Sequence, residues 1–213
     1  MSHLSDRVYS YLPFRLQNTA ISAFGYFWNR RRFGGCYSPE LKKYKEREAF
    51  SSDQWLAFQN NELQKILVHA FDNVSYYHER FTENGLKRSD LIQIEISEIF
   101  KIPTLPKEHL RLFGVSTLMS KKKEKRGSFY SSSGSTGTPT SIFFSKETHQ
   151  KWSDAFEARI RNWAGVSRLD SRGMIGGRRI IPYGVAKGPY YRYNSVEKQI
   201  YFSAYHISSE TAS

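Results

Sequence analysis

"YSSSGSTGTPTSIFF", residues 130–144, places a run of hydroxyl and glycine residues between two β-prone segments. A turn between strands needs only about two residues. The length of this run therefore indicates that it does more than connect two strands. Gly134 and Gly137 let the backbone turn and approach a ligand closely. The serine and threonine hydroxyls can join backbone N–H groups in a concavity that holds an anion. The stretch therefore predicts a phosphate-binding loop.

The spacing of the run distinguishes it from a Walker-type loop, which needs G-x-x-x-x-G-K-[ST] followed by a helix. Here Gly134 and Gly137 are close together, no lysine follows, and β-prone residues lie on both sides. The predicted loop is therefore a hairpin that folds over phosphates, and Pro139 stiffens its exit. The alternative that the residues leave open is a flexible serine-rich turn.

Downstream of the loop the pattern alternates between strand and helix. Ser145 can cap a helix over residues 146–164, and Gly165 suits its C-terminal end. Strands are expected around 174–175, in a short stretch that follows the glycine pair at 176–177, and over 196–207, which indicates an α/β or α+β domain, of which we favour α/β. The apolar residues predicted to share one face of the helix are Trp152, Ala155, Phe156, Ile160 and Trp163.

Upstream of the loop the sequence is mainly helical. A helix is predicted from Ser51 or Ser52 to about residue 74, and shorter ones over 16–32 and 107–112. We therefore expect a helical region over 1–115, followed by an α/β region over 116–213 that carries the loop. His69 and His78 lie in the helical region without partners at metal-ligand spacing, so they are interpreted as ordinary surface or packing histidines, and no metal ligand is assigned.

Composition limits the class of protein and of partner. The 213 residues carry a net charge of +12, which favours a phosphate-bearing partner: a nucleotide, a nucleic acid or an anionic lipid surface. Part of that charge is the basic run at 120–128, "SKKKEKRGS", an exposed loop just before the hydroxyl run. A single cysteine, Cys36, fits a reducing compartment, and the chain has no apolar stretch long enough to span a membrane. We expect a cytoplasmic protein, and the aromatic, basic segment over 16–32 could rest on a membrane surface.

The hydroxyl run also resembles the T-S-G-T-T-G-x-P-T signature of adenylate-forming enzymes, in the form found in the phenylacetate–coenzyme A ligase family and its branch assigned to capsular polysaccharide biosynthesis. "IPTLPKEHLR" at 102–111, "SKETHQKWSDAFEARIRNWAGV" at 145–166 and "KQIYFSAYHIS" at 198–208 resemble further stretches of that family. The similarity extends over roughly residues 8–210. It implies the N-terminal part of the acyl-coenzyme A synthetase-like fold: a helical region followed by a mixed sheet with helices.

The resemblance also implies a reaction and its participants. A carboxylic acid would be activated with ATP and Mg²⁺ to an acyl-adenylate and then passed to coenzyme A or another acceptor, in capsular or surface polysaccharide biosynthesis. Thr136 is the preferred single hydroxyl contact, and Tyr205 and His206 are candidates for a substrate pocket or, equally, a buried pair at a strand end. The phosphate-binding residues implied are Ser132, Ser133, Gly134, Ser135, Thr136, Gly137, Thr138 and Pro139.

Two departures from the family pattern leave alternatives open. Thr138 stands where many members have a lysine, and the family's aromatic–Gly–Thr–Glu segment, ribose-binding aspartate and C-terminal lysine have no match, so no catalytic residue is assigned. We therefore expect an N-terminal portion, truncated at its C-terminal end, and whether it is itself an enzyme stays open. The alternatives are a catalytically inactive fragment and a basic nucleic-acid-binding module. The nucleic-acid module is the least favoured, because no RNA-binding or zinc-finger motif accompanies the charge. Arg178 and Arg179 are either contacts for an anionic acceptor or surface charges.

Overall fold

The structure is a computed structural model, and it describes residues 8–123, 127–132, 139–177, 180–181 and 188–209. The chain forms two compact units: Met1–Leu41 together with Gln150–Ser213, and Lys42–His149. We call them the discontinuous unit and the central unit. The expected division into 1–115 and 116–213 stays a prediction.

The described residues upstream of the loop are helical, as the sequence indicated. Short 3₁₀ turns over Arg47–Ala49, Ile96–Lys101 and Ala204–His206 accompany the α-helices. In chain order, the α-helices are α1 (Phe14–Phe33), α2 (Tyr37–Glu46), α3 (Ser52–Asn73), α4 (Ser75–Glu83), α5 (Arg88–Gln93), α6 (Lys107–Leu112), α7 (Gly114–Leu118) and α8 (Lys146–Phe156).

Helix α3 begins with a capping box. The Gln54 N–H donates to Ser51 Oγ at 3.3 Å, and the Ser51 N–H donates to Gln54 Oε1 at 2.8 Å. Two backbone donors at the helix start are thereby satisfied. Of the two serines that the sequence offered, Ser51 is the cap and Ser52 is the first helical residue.

Replacing Ser51 with alanine is expected to reduce the free energy of unfolding by about 1 kcal/mol, because the Gln54 N–H loses its acceptor. Urea unfolding of Ser51→Ala and of the neighbouring Ser52→Ala measures this. The Ser52→Ala variant is the control and should stay within about 0.5 kcal/mol of the parent. Equal losses in the two variants would contradict the assignment of the cap.

The core of the central unit forms where α3, α4 and α5 meet. Leu67, Phe81, Leu91 and Ile94 are buried together, and Phe81 and Leu91 are almost completely shielded from solvent. A salt bridge between Arg88 and Asp72, at 3.0 Å, joins α5 to α3 at the surface. This small helical core supports the end of α3 that faces the candidate site.

The described residues form two small sheets. In the central unit β1 (Gly127–Ser131) pairs antiparallel with β2 (Ser141–Ser145). In the discontinuous unit β3 (Arg172–Gly176) pairs parallel with β5 (Gln199–Ser203), and β5 pairs antiparallel with β4 (Tyr191–Asn194). The second sheet is therefore mixed, which agrees with the α/β class.

The mixed sheet corrects two details of the sequence prediction. The strand expected over 196–207 is confined to Gln199–Ser203, since a turn precedes it and the 3₁₀ turn Ala204–His206 follows it. Strand β4 was not anticipated, because its buried positions are Arg192 and Asn194 whereas its tyrosines are partly exposed. A half-buried strand is normally identified by apolar residues at its buried positions and polar residues at its exposed ones, and β4 has the opposite arrangement.

Helix α1 covers the β4 side of this sheet through polar contacts. Gln17 Oε1 accepts from Arg192 Nε at 2.6 Å, and Asn18 Oδ1 accepts from the Tyr193 N–H at 3.0 Å. Gly25 permits the close approach, because a Cβ at that position would lie 2.4 Å from Asn194 Nδ2. The helix predicted over 16–32 is confirmed, and its packing combines these polar contacts with an edge-to-face contact of Phe14 with Tyr191 and with Ile21 against a buried apolar cluster.

Helix α8 begins where the sequence predicted but ends differently. The Thr148 N–H donates to Ser145 Oγ at 3.0 Å, which agrees with Ser145 as the cap. The α-helix then changes to a π-helical turn over Glu157–Arg161, and Gly165 follows with φ +71°. The expected apolar face is largely exposed at Trp152, Ile160 and Trp163. Apart from Ala158, the buried positions are instead polar: His149, Gln150, Ser153, Asp154 and Glu157.

Among the described helices, we find none with the length and hydropathy needed to cross a membrane.

Candidate phosphate-binding site

The hairpin of β1 and β2 positions the predicted phosphate loop. Its register pairs Ser131 with Ser141. One step further, the Ser132 N–H donates to the Thr140 carbonyl, and the Thr140 N–H donates to Ser132 Oγ, each at 3.0 Å. Ser132 therefore closes the ladder, and its hydroxyl still has a proton to donate. The strands on both sides of the loop pair antiparallel, as the hairpin prediction requires.

Aromatic packing keeps the two strands together below the loop. The rings of Phe129 and Phe143 lie with their centroids 5.3 Å apart, and those of Tyr130 and Phe144 are 5.5 Å apart. The Phe143 ring covers Gly127, since a Cβ there would lie 2.0 Å from Phe143 Cζ. Because Gly127 has no side chain, the Phe143 ring can lie over it and line the pocket beside the hairpin.

A pocket of about 660 Å³ adjoins the hairpin within the central unit. Helices α3, α6 and α7, both strands and the start of α8 contribute to its lining. Apart from His69, the polar side chains among the described lining residues are three cations and five hydroxyls: Arg111, Lys122, Lys123, Ser120, Thr140, Ser141, Ser145 and Thr148. The remaining lining includes His69, Pro139 and an apolar group formed by Leu110, Leu118, Met119, Phe129, Ile142 and Phe143.

His69 and Ser120 form a polar contact at the pocket. His69 Nε2 lies 3.0 Å from Ser120 Oγ, and Asn73 Nδ2 lies 3.5 Å from His69 Nδ1 and donates to the His69 carbonyl at 3.0 Å. The Lys122 N–H also donates to Ser120 Oγ, at 3.1 Å. Ser120 is therefore held at the pocket by contacts with His69 and with the backbone of Lys122.

The charge of the lining selects for anions. It carries cationic and hydroxyl groups, and none of the described residues that line the pocket is an aspartate or glutamate. Phosphate oxygens match such a donor set. Mg²⁺ does not match it, because that ion prefers carboxylate oxygens in addition to substrate phosphates. Among the described residues we find no group of three or more His, Cys, Asp or Glu side chains that could hold a metal ion.

The structure locates only some of the residues predicted for the loop. Ser132 ends the hairpin ladder, and Pro139 lines the pocket. The others lie outside the described residues: Ser133, Gly134, Ser135, Thr136, Gly137 and Thr138. Their role as phosphate ligands stays a prediction.

The second predicted group, Tyr205 and His206, belongs to the discontinuous unit. Tyr205 is exposed and donates its hydroxyl to the Gly177 carbonyl at 3.1 Å. His206 Nδ1 lies 2.8 Å from Ser203 Oγ, and its ring stacks on Tyr190 at 4.9 Å. The two residues are in a 3₁₀ turn after β5 and do not form a buried pair. Arg178 and Arg179 lie outside the described residues.

Sequence reasoning missed two residues of the pocket. Arg111 was treated as part of an ordinary helix, and His69 as a surface or packing histidine. Helix α6 and the last turns of α3 place both beside the hairpin. The resemblance of residues 102–111 was a usable signal for Arg111, whereas nothing in the spacing around His69 indicated its position.

Comparison with known proteins supports a family relationship along most of the chain. No family model matches it. Protein CapK of Staphylococcus aureus is 26% identical over 203 residues, which is 95% of this chain and 43% of CapK. The phenylacetate-coenzyme A ligase of Pseudomonas putida is 30% identical over 118 residues, 55% of this chain and 26% of that enzyme. The corresponding ligase of Escherichia coli strain K12 is 28% identical over the same length.

The chain spans less than half the length of these curated relatives. The alignment with CapK covers nearly the whole sequence, so it includes most of both units. The residues that first suggested the resemblance are thus part of a longer similarity. The chain is therefore similar to CapK along nearly all of its length and to phenylacetate-coenzyme A ligases over about half of it, which supports the resemblance to a phenylacetate–coenzyme A ligase-like family.

Proposed function

We propose that this chain is part of an adenylate-forming ligase and that the pocket beside β1 and β2 holds the phosphates of ATP. The observation that carries the proposal is the lining itself: three cations and five hydroxyls, with no carboxylate among the described lining residues, next to a hairpin whose two strands flank the glycine and hydroxyl run. The relationship to phenylacetate-coenzyme A ligases supports the same chemistry.

Each part of the pocket has a task in this proposal. Arg111 offers a planar, bidentate donor to phosphate oxygens, whereas Lys122 and Lys123 act as point charges. Ser120 and Thr140 add neutral donors, and residues 132–139 close over the phosphates from the hairpin. Donors fixed before the reaction stabilise the charge that develops on the phosphates during transfer.

The reaction proposed is activation of a carboxylic acid. A carboxylate oxygen of the substrate attacks the α-phosphorus of ATP, the bond to the pyrophosphate oxygen breaks, and an acyl-adenylate results. A thiol such as coenzyme A, or another acceptor, then displaces AMP. Surface-polysaccharide assembly is the pathway we favour, on the resemblance of residues 198–208 to capsule-type members. A reducing, cytoplasmic setting agrees with the single Cys36.

The pocket is expected to bind inorganic tripolyphosphate and ATP, with an affinity that falls when one of its cations is removed. Arg111→Gln and Lys122→Gln should each weaken binding about tenfold, because each removes a charge-assisted hydrogen bond. Isothermal titration calorimetry of the whole chain measures the dissociation constants. Lys65→Gln is the matched control, since it removes one charge from an exposed site of α3 in the same unit.

Equal weakening by Lys65→Gln would show that the net charge alone attracts the ligand and would contradict binding in the pocket.

Catalytic activity is tested separately, by ATP–pyrophosphate exchange with a panel of carboxylic acids. Exchange supports a working ligase, whereas phosphate binding without exchange indicates an inactive fragment. Tight binding of RNA or DNA that falls steeply with salt and ignores ATP would favour the nucleic-acid alternative.

A further inference from the structure

Helix α1 directs its polar side chains toward the sheet. Gln17, Asn18 and Ser22 all bond to residues of β4 or the turn after it, at 2.6 to 3.1 Å. Gly25 lies against Asn194, and Arg32 pairs with the buried Glu197. The spacing of these residues follows one face of an α-helix, which is thereby occupied by the sheet.

The opposite face of α1 is apolar and open to solvent. Leu16, Ala23 and Phe27 follow one another at helical spacing along it, with Tyr26 beside them. Phe27 is 70% exposed, Leu16 51% and Tyr26 50%. Just before the helix, Tyr11 is 86% exposed. We call Tyr11, Leu16, Ala23, Tyr26 and Phe27 the aromatic stripe.

Positive charge surrounds the aromatic stripe. Arg15 and Arg30 are exposed on the same side of α1, near its two ends. The sequence from Arg7 to Pro39 contains five arginines and no aspartate or glutamate, within a chain of net charge +12. Arginine can bury its aliphatic stem along apolar surface while its guanidinium reaches a phosphate.

We propose that this face of α1 is a contact site for an anionic lipid surface, on which the helix lies parallel to the membrane. Aromatic and aliphatic side chains enter the boundary between headgroups and acyl chains, and arginines at the edges bind lipid phosphates. A second copy of the chain is the less favourable occupant. An isologous contact would bring the same arginine-flanked face against itself, with like charges opposed.

Flotation of the whole chain with vesicles tests the site. The chain is expected to bind vesicles of phosphatidylcholine with about a third phosphatidylglycerol, and to bind pure phosphatidylcholine at least tenfold more weakly. Phe27→Ser should weaken binding to the anionic vesicles about tenfold, and Arg15→Gln combined with Arg30→Gln should do so to a similar extent. High salt should reduce the contribution of the arginines to vesicle binding and leave the contribution of Phe27 unchanged.

Two control variants keep the result interpretable. Phe100→Ser removes an exposed phenylalanine from the central unit, and Lys65→Gln removes an exposed charge there. Both should bind as the parent does, and all variants should share its urea midpoint. Failure to bind anionic vesicles, or equal losses in the controls, would overturn the proposal. So would self-association abolished by Phe27→Ser, which would assign the face to a second copy.

Discussion

Glu197→Ala is expected to reduce the free energy of unfolding by about 3–5 kcal/mol, because it removes the partner of a buried cation. The Glu197 side chain is only 2% exposed, and it pairs with Arg32, whose side chain is 14% exposed. Its other carboxylate oxygen accepts from Asn194 Nδ2 at 2.9 Å and from the Tyr201 hydroxyl at 3.4 Å. The variant would leave all these donors buried without an acceptor.

The guanidinium of Arg32 is the group most affected. Burial lowers its pKa, the charge of Glu197 raises it, and the nearby charge of Arg172 lowers it further. Arg32 Nε is also buried without a hydrogen-bond partner. Glu197 therefore supplies most of the compensation that this cation receives, and its loss cannot be replaced by water at the same position.

Urea unfolding of Glu197→Ala and Glu46→Ala measures the effect. Glu46 pairs with Lys42 at 3.7 Å on the surface of α2, where both side chains are more than half exposed. Such pairs contribute about 0–1 kcal/mol, so the control should hardly change. Glu197→Gln keeps the shape and some hydrogen bonds, and it should fall between the two. Similar values for Glu197→Ala and Glu46→Ala would contradict a structural role for the buried pair.

Asp154→Asn is expected to change how stability depends on pH. Asp154 is fully buried in α8, and both of its carboxylate oxygens lack a hydrogen-bond partner. Burial, with a smaller contribution from the charge of Glu40, raises the pKa of Asp154 to about 7. An unpartnered carboxylate in such a site is unfavourable when ionised.

The direction of this pH dependence follows from the protonation of Asp154 in the folded and the unfolded chain. Between about pH 4 and pH 7 the folded chain keeps the Asp154 proton, whereas the unfolded chain releases it, so the folded state binds more protons. The contribution of Asp154 to stability is therefore greatest below about pH 4, falls as pH rises, and levels off above the folded pKa. Over this pH range the free energy of unfolding falls by a total on the order of 2–4 kcal/mol.

Asp154→Asn removes the ionisation and should flatten this part of the profile. Urea unfolding of the parent and the variant between pH 5 and pH 8.5 measures the difference, which should grow with pH in favour of the variant. Asp53→Asn, at an exposed position of α3, provides the control and should retain the parental slope. Parallel profiles for Asp154→Asn and the parent would show that Asp154 is not buried as the structure places it.

Local signals in the sequence predicted the elements that local interactions stabilise. Ser51 and Ser145 were recognised as helix caps because their hydroxyls bond to backbone donors three residues away, a relation that spacing alone reveals. The antiparallel strands beside the hydroxyl run were expected from their composition, and they position the candidate site. The boundaries of β5 were less accurate, since tertiary pairing with β3 and β4 sets where that strand begins and ends.

The sequence by itself determined the helical first part, the mixed class and the antiparallel strands on either side of the hydroxyl run, whose role as phosphate ligands stays a prediction. Only the tertiary structure decided which faces are buried. In α1 and β4, the buried positions are largely polar and several exposed ones apolar, because Gln17 pairs with Arg192 and Arg32 with Glu197. In α8, the buried Gln150 donates to the distant Arg31 carbonyl. Arg111 and His69 likewise join Lys122 in one pocket through the packing of separate helices. Periodicity identifies the faces of a helix, but long-range partners determine which face is covered.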